Sequence, residues 1–384
     1  MDFLRRGRLR GLRGEVARPR RPDHHTGTGF RNSYGAANSH QGLWAYLRMR
    51  LSEGALPEAC SDGAAPDIAS DRDGLARPSS DFQVTWLGHA STLLQLGGIN
   101  VLTDPVFAER ASFLRWMGPR RRRSAPVGLD ELPPIDYVVI SHNHYDHLDA
   151  EVVARLGNRV HWLVPLGLKR WFAVKGVSRV TELDWWQSES RKGIRFTAAP
   201  AKHWSRRGLW DTNRTLWASW VIESGGKTLW FAGDTGYSRE MMCDIRHRFG
   251  AFDLALLPIG AYGPRWYMKE KHADPFDAVE MHRDLDAAKS VAIHWGTFVL
   301  THEPPDEPPR LLARARERGG VAPDEFHLLA IGETLPIAKS VQRTRSGPRP
   351  AVPGASSRCK LARLKTDRVD ISTNERDLNA NQAD

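Results

Sequence analysis

The sequence predicts an α/β protein of four layers, αββα, in which two mixed β-sheets face each other and helices cover the outside. Three observations carry that expectation. Apolar runs of strand length alternate with segments of helical period. Side chains of the kind that bind metals recur where those strands end. A chain of 384 residues is also long enough to bury the core of such a domain, which needs roughly 300 residues.

Taken in order, strand-like segments fall at 83–87, 91–96 and 99–103, with Gly97-Gly98 as the hairpin turn between the last two. The wholly apolar run Tyr137–Ile140 follows, and then 161–164, each paired with a helix, at 149–156 and 166–174. Further strands are expected at 194–200, 217–223, 227–232, 254–258, 290–294 and 326–330. Helices are expected at 239–249, 275–286 and 308–318. Asp274-Pro275 is an N-cap followed by a first-turn proline, and Phe276, Val279 and Leu285 supply the apolar face behind it. Gly319 is the expected stop of the last helix. No fixed-period repeat is present.

The boundaries follow composition. Residues 1–22 hold eight arginines against Asp2 and Glu15 and form a basic, disordered or surface-adhering arm. Residues 23–80 are an N-terminal extension whose 52–80 portion, rich in Ala, Gly, Ser, Pro and Asp, is a loose linker. Residues 81–337 are the folded domain that holds the expected strands. Residues 338–384 hold ten basic and five acidic side chains without apolar periodicity and form a basic, disordered tail. The formal charge of +10 therefore sits in the two ends, because 23–337 contain 37 basic and 38 acidic residues. That distribution argues against specific nucleic-acid binding by the folded part. No apolar run reaches secretory or membrane-spanning length. Cys60, Cys243 and Cys359 have no metal-binding spacing and suit a reducing cytoplasm or a chain without disulfides.

The most informative stretch is Ser141-His142-Asn143-His144-Tyr145-Asp146-His147, directly behind Tyr137–Ile140. Residues two apart on a strand face one side, so His142 and His144 project together, and the turn brings Asp146 and His147 to a second position. Imidazole and carboxylate are ligands for zinc, iron and manganese. Four ligands do not complete two metal sites. His203, Asp234 and His294, each near a strand end, supply the rest of a consistent set. Asp104, which ends a strand in Thr103-Asp104-Pro105, is either a turn residue or the partner of a ligand imidazole's free ring N–H. His89 is either a core imidazole or a further hydrogen-bonding group at the site.

In this order the residues resemble the metallo-β-lactamase fold hydrolases with two metal ions. Ser141–Asp149, Phe231–Tyr237, Pro258–Tyr262 with Pro264-Arg265-Trp266, and Ala292–Phe298 resemble, more narrowly, the N-acylphosphatidylethanolamine-hydrolysing phospholipase D and its bacterial relatives. So do Trp86–Ala90, Leu102–Pro105 and His203-Trp204 followed by Asn213–Trp217; the resemblance covers roughly residues 29–336. It implies the metallo-β-lactamase fold and two Zn²⁺, with iron or manganese as alternatives. One ion would take His142, His144 and His203; the other would take Asp146, His147 and His294; Asp234 would bridge them. It also implies catalytic roles for Asp146 and Asp234 and a substrate-phosphate contact for His272, whose alternative is a surface histidine beside a helix cap. The implied reaction is attack of a metal-bridging hydroxide on a phospholipid diester. A lactone or small phosphodiester substrate is the alternative.

The implied partners are a phospholipid and, at the periphery, a membrane, which places the protein in the cytoplasm or at the inner membrane surface. Gly42–Leu51 could rest on lipid, or pack as a helix. The 14 tryptophans are expected chiefly as core or cleft walls, with acyl-chain contact as the alternative. Nothing in the sequence fixes an oligomeric state.

Overall fold

The computed structural model describes residues 22–35, 43–57, 66–68, 71–78, 81–114 and 116–337. Apart from Pro22, the basic arm and the basic tail lie outside the described residues. In chain order the strands are β1 (Phe82–Gly88), β2 (Ser91–Leu96), β3 (Ile99–Thr103), β4 (Tyr137–Val139), β5 (His161–Pro165), β6 (Val180–Leu183), β7 (Ser188–Arg191), β8 (Ile194–Ala199), β9 (Ser219–Ser224), β10 (Lys227–Phe231), β11 (Leu254–Pro258), β12 (Lys289–Ile293), β13 (Phe326–His327) and β14 (Thr334–Pro336). The helices are α1 (Leu43–Glu53), α2 (Arg72–Ala76), α3 (Ala150–Leu156), α4 (Lys169–Val174), α5 (Arg239–Phe249), α6 (Arg265–Met268), α7 (Pro275–Asp284) and α8 (Glu307–Gly319).

Two seven-stranded sheets result, ordered β14-β1-β2-β3-β4-β5-β6 and β13-β12-β11-β10-β9-β8-β7. Both are mixed, and both change in the same way along their order. In the first, β14, β1, β2 and β3 pair antiparallel and β3 to β6 parallel. In the second, β7 to β10 pair antiparallel and β10 to β13 parallel.

Period-two burial sorts the first sheet's side chains between its two faces. Val84, Trp86, Leu94, Val101, Val139 and Leu163 join the core shared with Phe196, Trp220, Ile222 and Trp230 of the second sheet. Their neighbours Leu87, Leu93, Leu102, Val138 and Trp162 face outward, onto Val152, Val153 and Leu156 of α3 and Phe172 of α4. On the second sheet α7 packs against β11, α8 and α5. These are the four expected layers.

Each expected strand is present, although β13 ends at His327 rather than 330. Strands β6, β7 and β14 were not expected, nor were α2 and α6. The loose linker therefore contains one helical turn, with Asp71 Oδ1 accepting from Gly74 N at 2.9 Å. The segment 43–53 is a helix with Met49 buried and Trp44 and Leu51 exposed, which decides neither of its two expected readings. The last helix stops one residue later than expected, because Gly320, at φ 63°, takes the left-handed cap. Asp274 caps α7 as expected, accepting from Asp277 N at 2.9 Å. Cys243, on α5, is disulfide-bonded, which corrects the reading of a chain without disulfides; Cys60 and Cys359 lie outside the described residues. No described helix is long and apolar enough to cross a membrane.

Candidate metal centre

Every expected ligand follows the end of a strand, and both sheets contribute. His142, His144, Asp146 and His147 lie in the turn after β4; His203, Asp234 and His294 follow β8, β10 and β12. The turn after β4 is seated by Asp104, which follows β3. Its Oδ1 accepts from Ser141 N at 2.7 Å, and its Oδ2 lies 2.5 Å from Ser141 Oγ and 2.6 Å from His147 Nδ1. Gly233 is required beside it. At φ 57°, a Cβ there would come within 2.5 Å of the Ser141 Cβ.

The seven side chains form two groups with a common member. In the first, His144 Nδ1 lies 2.8 Å from His142 Nε2 and 3.3 Å from His203 Nε2. Asp234 Oδ2 is 3.9 Å from His142 Nε2 and 3.7 Å from His203 Nε2. In the second, His147 Nε2 lies 3.2 Å from His294 Nε2, 3.3 Å from Asp146 Oδ2 and 3.1 Å from Asp234 Oδ2. His294 Nε2 is 3.0 Å from Asp234 Oδ1.

These spacings fit a cation better than hydrogen bonding alone. Donors about 2.05 Å from a tetrahedral ion stand about 3.3 Å apart, within the observed range. Three imidazole nitrogens turned on one another, as in the first group, cannot all be satisfied by shared protons. His272 Nδ1 is also sealed from water without a hydrogen bond, 3.9 Å from Asp234 Oδ2.

The electrostatics agree. Burial pushes His142 well below the usual histidine value, His144 to about 4 and His203 to about 3. Burial alone would raise Asp146 and Asp234, but the surrounding imidazoles, His147 foremost, hold both well below the usual carboxylate range. His147 moves the other way. Burial opposes its charge, yet Asp234, Asp146 and Asp104 outweigh that and hold it well above the ordinary value. Against the same burial, Asp234 and Asp146 raise His294 to about 9. Neutral imidazoles and ionised carboxylates are the forms that bind metals, and an ion arriving at His147 and His294 would displace protons.

Around this cluster, outer contacts set the rings. His203 Nδ1 lies 2.9 Å from the Lys271 carbonyl, and His89 Nε2 lies 2.9 Å from Asp146 Oδ2. Burial lowers His89 to about 3, so it meets Asp146 as a neutral N–H donor. Asn32 binds both sides of the His203 peptide: its Nδ2 donates to the carbonyl at 3.0 Å and its Oδ1 accepts from the N–H at 3.2 Å. His89, Asp104 and His294 have left-handed backbones, at φ 54°, 32° and 62°, a strain of about 1–3 kcal/mol each that clusters at functional sites. Sequence reasoning missed Ser141, Asn32 and the Lys271 carbonyl as supports. The serine that opens the histidine motif was the only visible signal.

A fold of facing mixed sheets with histidines and aspartates at one edge defines a class. Residues 99–295 match the Beta-lactamase superfamily domain, and the chain belongs to that superfamily, with the metallo-β-lactamase fold. It is 45% identical over 233 residues to the N-acyl-phosphatidylethanolamine-hydrolyzing phospholipase D 1 of Caenorhabditis elegans, a match covering 58% of this chain and 65% of the relative. It is 36% identical over 295 residues to the mitochondrial N-acyl-phosphatidylethanolamine-hydrolyzing phospholipase D of Saccharomyces cerevisiae, covering 73% of this chain and 62% of the relative. The matches thus span a little under two thirds of either relative. A possible metal-dependent hydrolase from Veillonella parvula, 17% identical, shares the fold at a TM-score of 0.54, over 66% of this chain and 98% of that one.

Proposed function

We propose that this chain is a binuclear, zinc-dependent phosphodiesterase of phospholipase D type, acting on N-acylphosphatidylethanolamine-like phospholipids. The observation that carries this reading is Asp234, whose carboxylate lies 3.7 Å from His203 Nε2 on one side and 3.1 Å from His147 Nε2 on the other. His142, His144 and His203 would hold one ion; Asp146, His147 and His294 would hold the other; Asp234, close to members of both sets, would serve both. Two such ions, when bound, supply a water of lowered pKa and neutralise charge on a phosphoryl oxygen.

The chain's own residues do the rest. A proton held between Asp104 and His147 Nδ1 leaves Nε2 free to face the site, and the Lys271 carbonyl does the same for His203. His89 directs Asp146 through one oxygen. His272 is not among the proposed ligands, though its Nδ1 lies near Asp234 and His294 without a hydrogen bond, where it would donate to a substrate oxygen as charge develops. The nature of the substrate is supported by the names of the two phospholipase relatives. Membrane contact is supported by the exposed Trp44 and Leu51 of α1 and by Trp266, whose indole lies beside that helix with Arg48 over its ring at 5.2 Å.

The test has two parts. Zinc-saturated protein should hold two ions per chain, and Asp234→Ala should lower occupancy of both sites and abolish turnover. The wild type, offered an N-acylated phospholipid, an ordinary phospholipid, bis(p-nitrophenyl) phosphate, a lactone and single-stranded RNA, should prefer the first. A preference for the lactone would replace the phospholipase reading with a lactonase.

A further inference from the structure

Three lysines are buried among the described residues: Lys202, Lys227 and Lys271. Two have a counter-charge. Lys202 Nζ lies 2.6 Å from Glu270, and Lys227 Nζ lies 3.0 Å from Asp253. Lys271 has no described carboxylate within ion-pair reach. Its Nζ rests on the faces of two rings instead, 3.8 Å from the Tyr267 centroid and 5.9 Å from that of Trp204. An aromatic face holds a cation in place, but it returns little of what a buried ammonium loses on leaving water.

The location gives this lysine a use. Its carbonyl carries His203, and His272 is its neighbour in the chain. Trp204, one of its two supporting rings, stands edge-on to His144 with centroids 4.7 Å apart. The ammonium and His144 thus share Trp204 as a neighbour, while the cluster's own carboxylates are turned toward its imidazoles. A ligand that brings an anionic oxygen to the cluster would supply the missing counter-charge.

We propose that Lys271 is an anion-binding residue of the substrate site, its ammonium donating to a non-bridging phosphate oxygen of the bound ester. This rests on the phosphodiesterase reading and deepens it. It makes the site selective for esters with an exposed negative oxygen over neutral esters such as lactones, since only the former complete the ion pair. Tyr267 and Trp204 hold the side chain in position before the ligand arrives, so little freedom is lost on binding.

The experiment uses the full-length, zinc-loaded protein and the variants Lys271→Met, Lys271→Gln and Lys271→Arg. Inorganic phosphate is titrated calorimetrically, and KM is measured for bis(p-nitrophenyl) phosphate and for a lactone. The two uncharged variants should bind phosphate about tenfold to hundredfold more weakly, the loss expected for one charge-assisted hydrogen bond. KM for the diester should rise comparably and KM for the lactone should not, and Lys271→Arg should recover most of the loss. Zinc content and melting temperature should match the wild type. Unchanged phosphate affinity in the uncharged variants would overturn the proposal, leaving Lys271 a packed side chain. Loss of zinc would also overturn it, placing the residue's role in its hold on His203. Phosphate binding needs no turnover, so the two readings fail separately. A wild type that cleaves no diester but binds phosphate through Lys271 refutes the phosphodiesterase alone.

Discussion

At the scale of single residues, the candidate centre divides into side chains whose type announces their chemistry and side chains whose role is set by place. The histidines and aspartates that end strands belong to the first kind, and their spacing in the sequence was enough to gather them. Asn32, Ser141 and Lys271 belong to the second: an asparagine, a serine and a backbone carbonyl occur everywhere, and only the fold shows that the first and last hold His203 while Ser141 meets Asp104 and His142. His272 lies between the two kinds. It is buried against Asp234 rather than at the surface, which removes the surface-histidine alternative. Its replacement by alanine should retain both metals and lower turnover on the order of 10²-fold, more in kcat than in KM, as for the loss of one oxyanion donor. Metal analysis beside steady-state kinetics checks this. A missing ion would make His272 a ligand or its direct support.

At the scale of elements, the strands that the sequence concealed share one physical cause. The unexpected strands β6, β7 and β14 and the shortened β13 are the four edges of the two sheets. An edge strand is covered on fewer sides, so its apolar pattern is weak; Ser188–Arg191 has none. Interior strands such as β2 and β11 are buried throughout and were plain in the sequence. The buried tryptophans were legible as core residues but not as donors, whereas Trp44, Trp116, Trp210 and Trp266 are exposed. Trp86 donates to the His89 carbonyl, Trp217 to that of Ala201 and Trp220 to that of Ile140, at 2.9, 2.8 and 2.9 Å, so three indoles brace chain beside site residues. Trp220→Phe should leave the Ile140 carbonyl unpaired, cost about 1–3 kcal/mol and weaken zinc binding at the adjoining His142. Denaturant melts and chelator competition would show it, and normal values in both would deny the brace.

The N-terminal extension is tied down by Asp184, whose two oxygens lie 2.6 Å from His24 Nε2 and 2.7 Å from His25 Nε2. Burial would raise this carboxyl, but the hydrogen bonds from His24 and His25 outweigh it and hold the group below its usual range. A depressed carboxylate stabilises the fold fully above its unfolded value, about 3.9, and loses that contribution as pH falls through the lower folded value. Asp184→Asn should thus melt below the wild type at pH 7, and the gap should narrow as pH falls below the usual carboxylate range. A gap independent of pH would mean that the carboxylate's charge contributes nothing.

At the scale of the whole molecule, the centre lies across the seam between the sheets. Four of its seven ligand-type side chains follow β4 of one sheet, and three follow β8, β10 and β12 of the other. Under the proposed assignment neither ion can be held by one sheet alone, so each acts as a rivet. Only the assembled sandwich offers the complete donor sets, and mass action then makes free zinc a stabiliser of the fold itself. At a thousandfold excess over its dissociation constant, one such ion adds about 4 kcal/mol. Dialysis against a chelator should lower the melting temperature, and restoring zinc should raise it in step with the logarithm of its concentration. A melting temperature indifferent to zinc would mean that the two sheets stand without their rivets. Otherwise the supply of metal governs not only whether this protein is active but how long it survives.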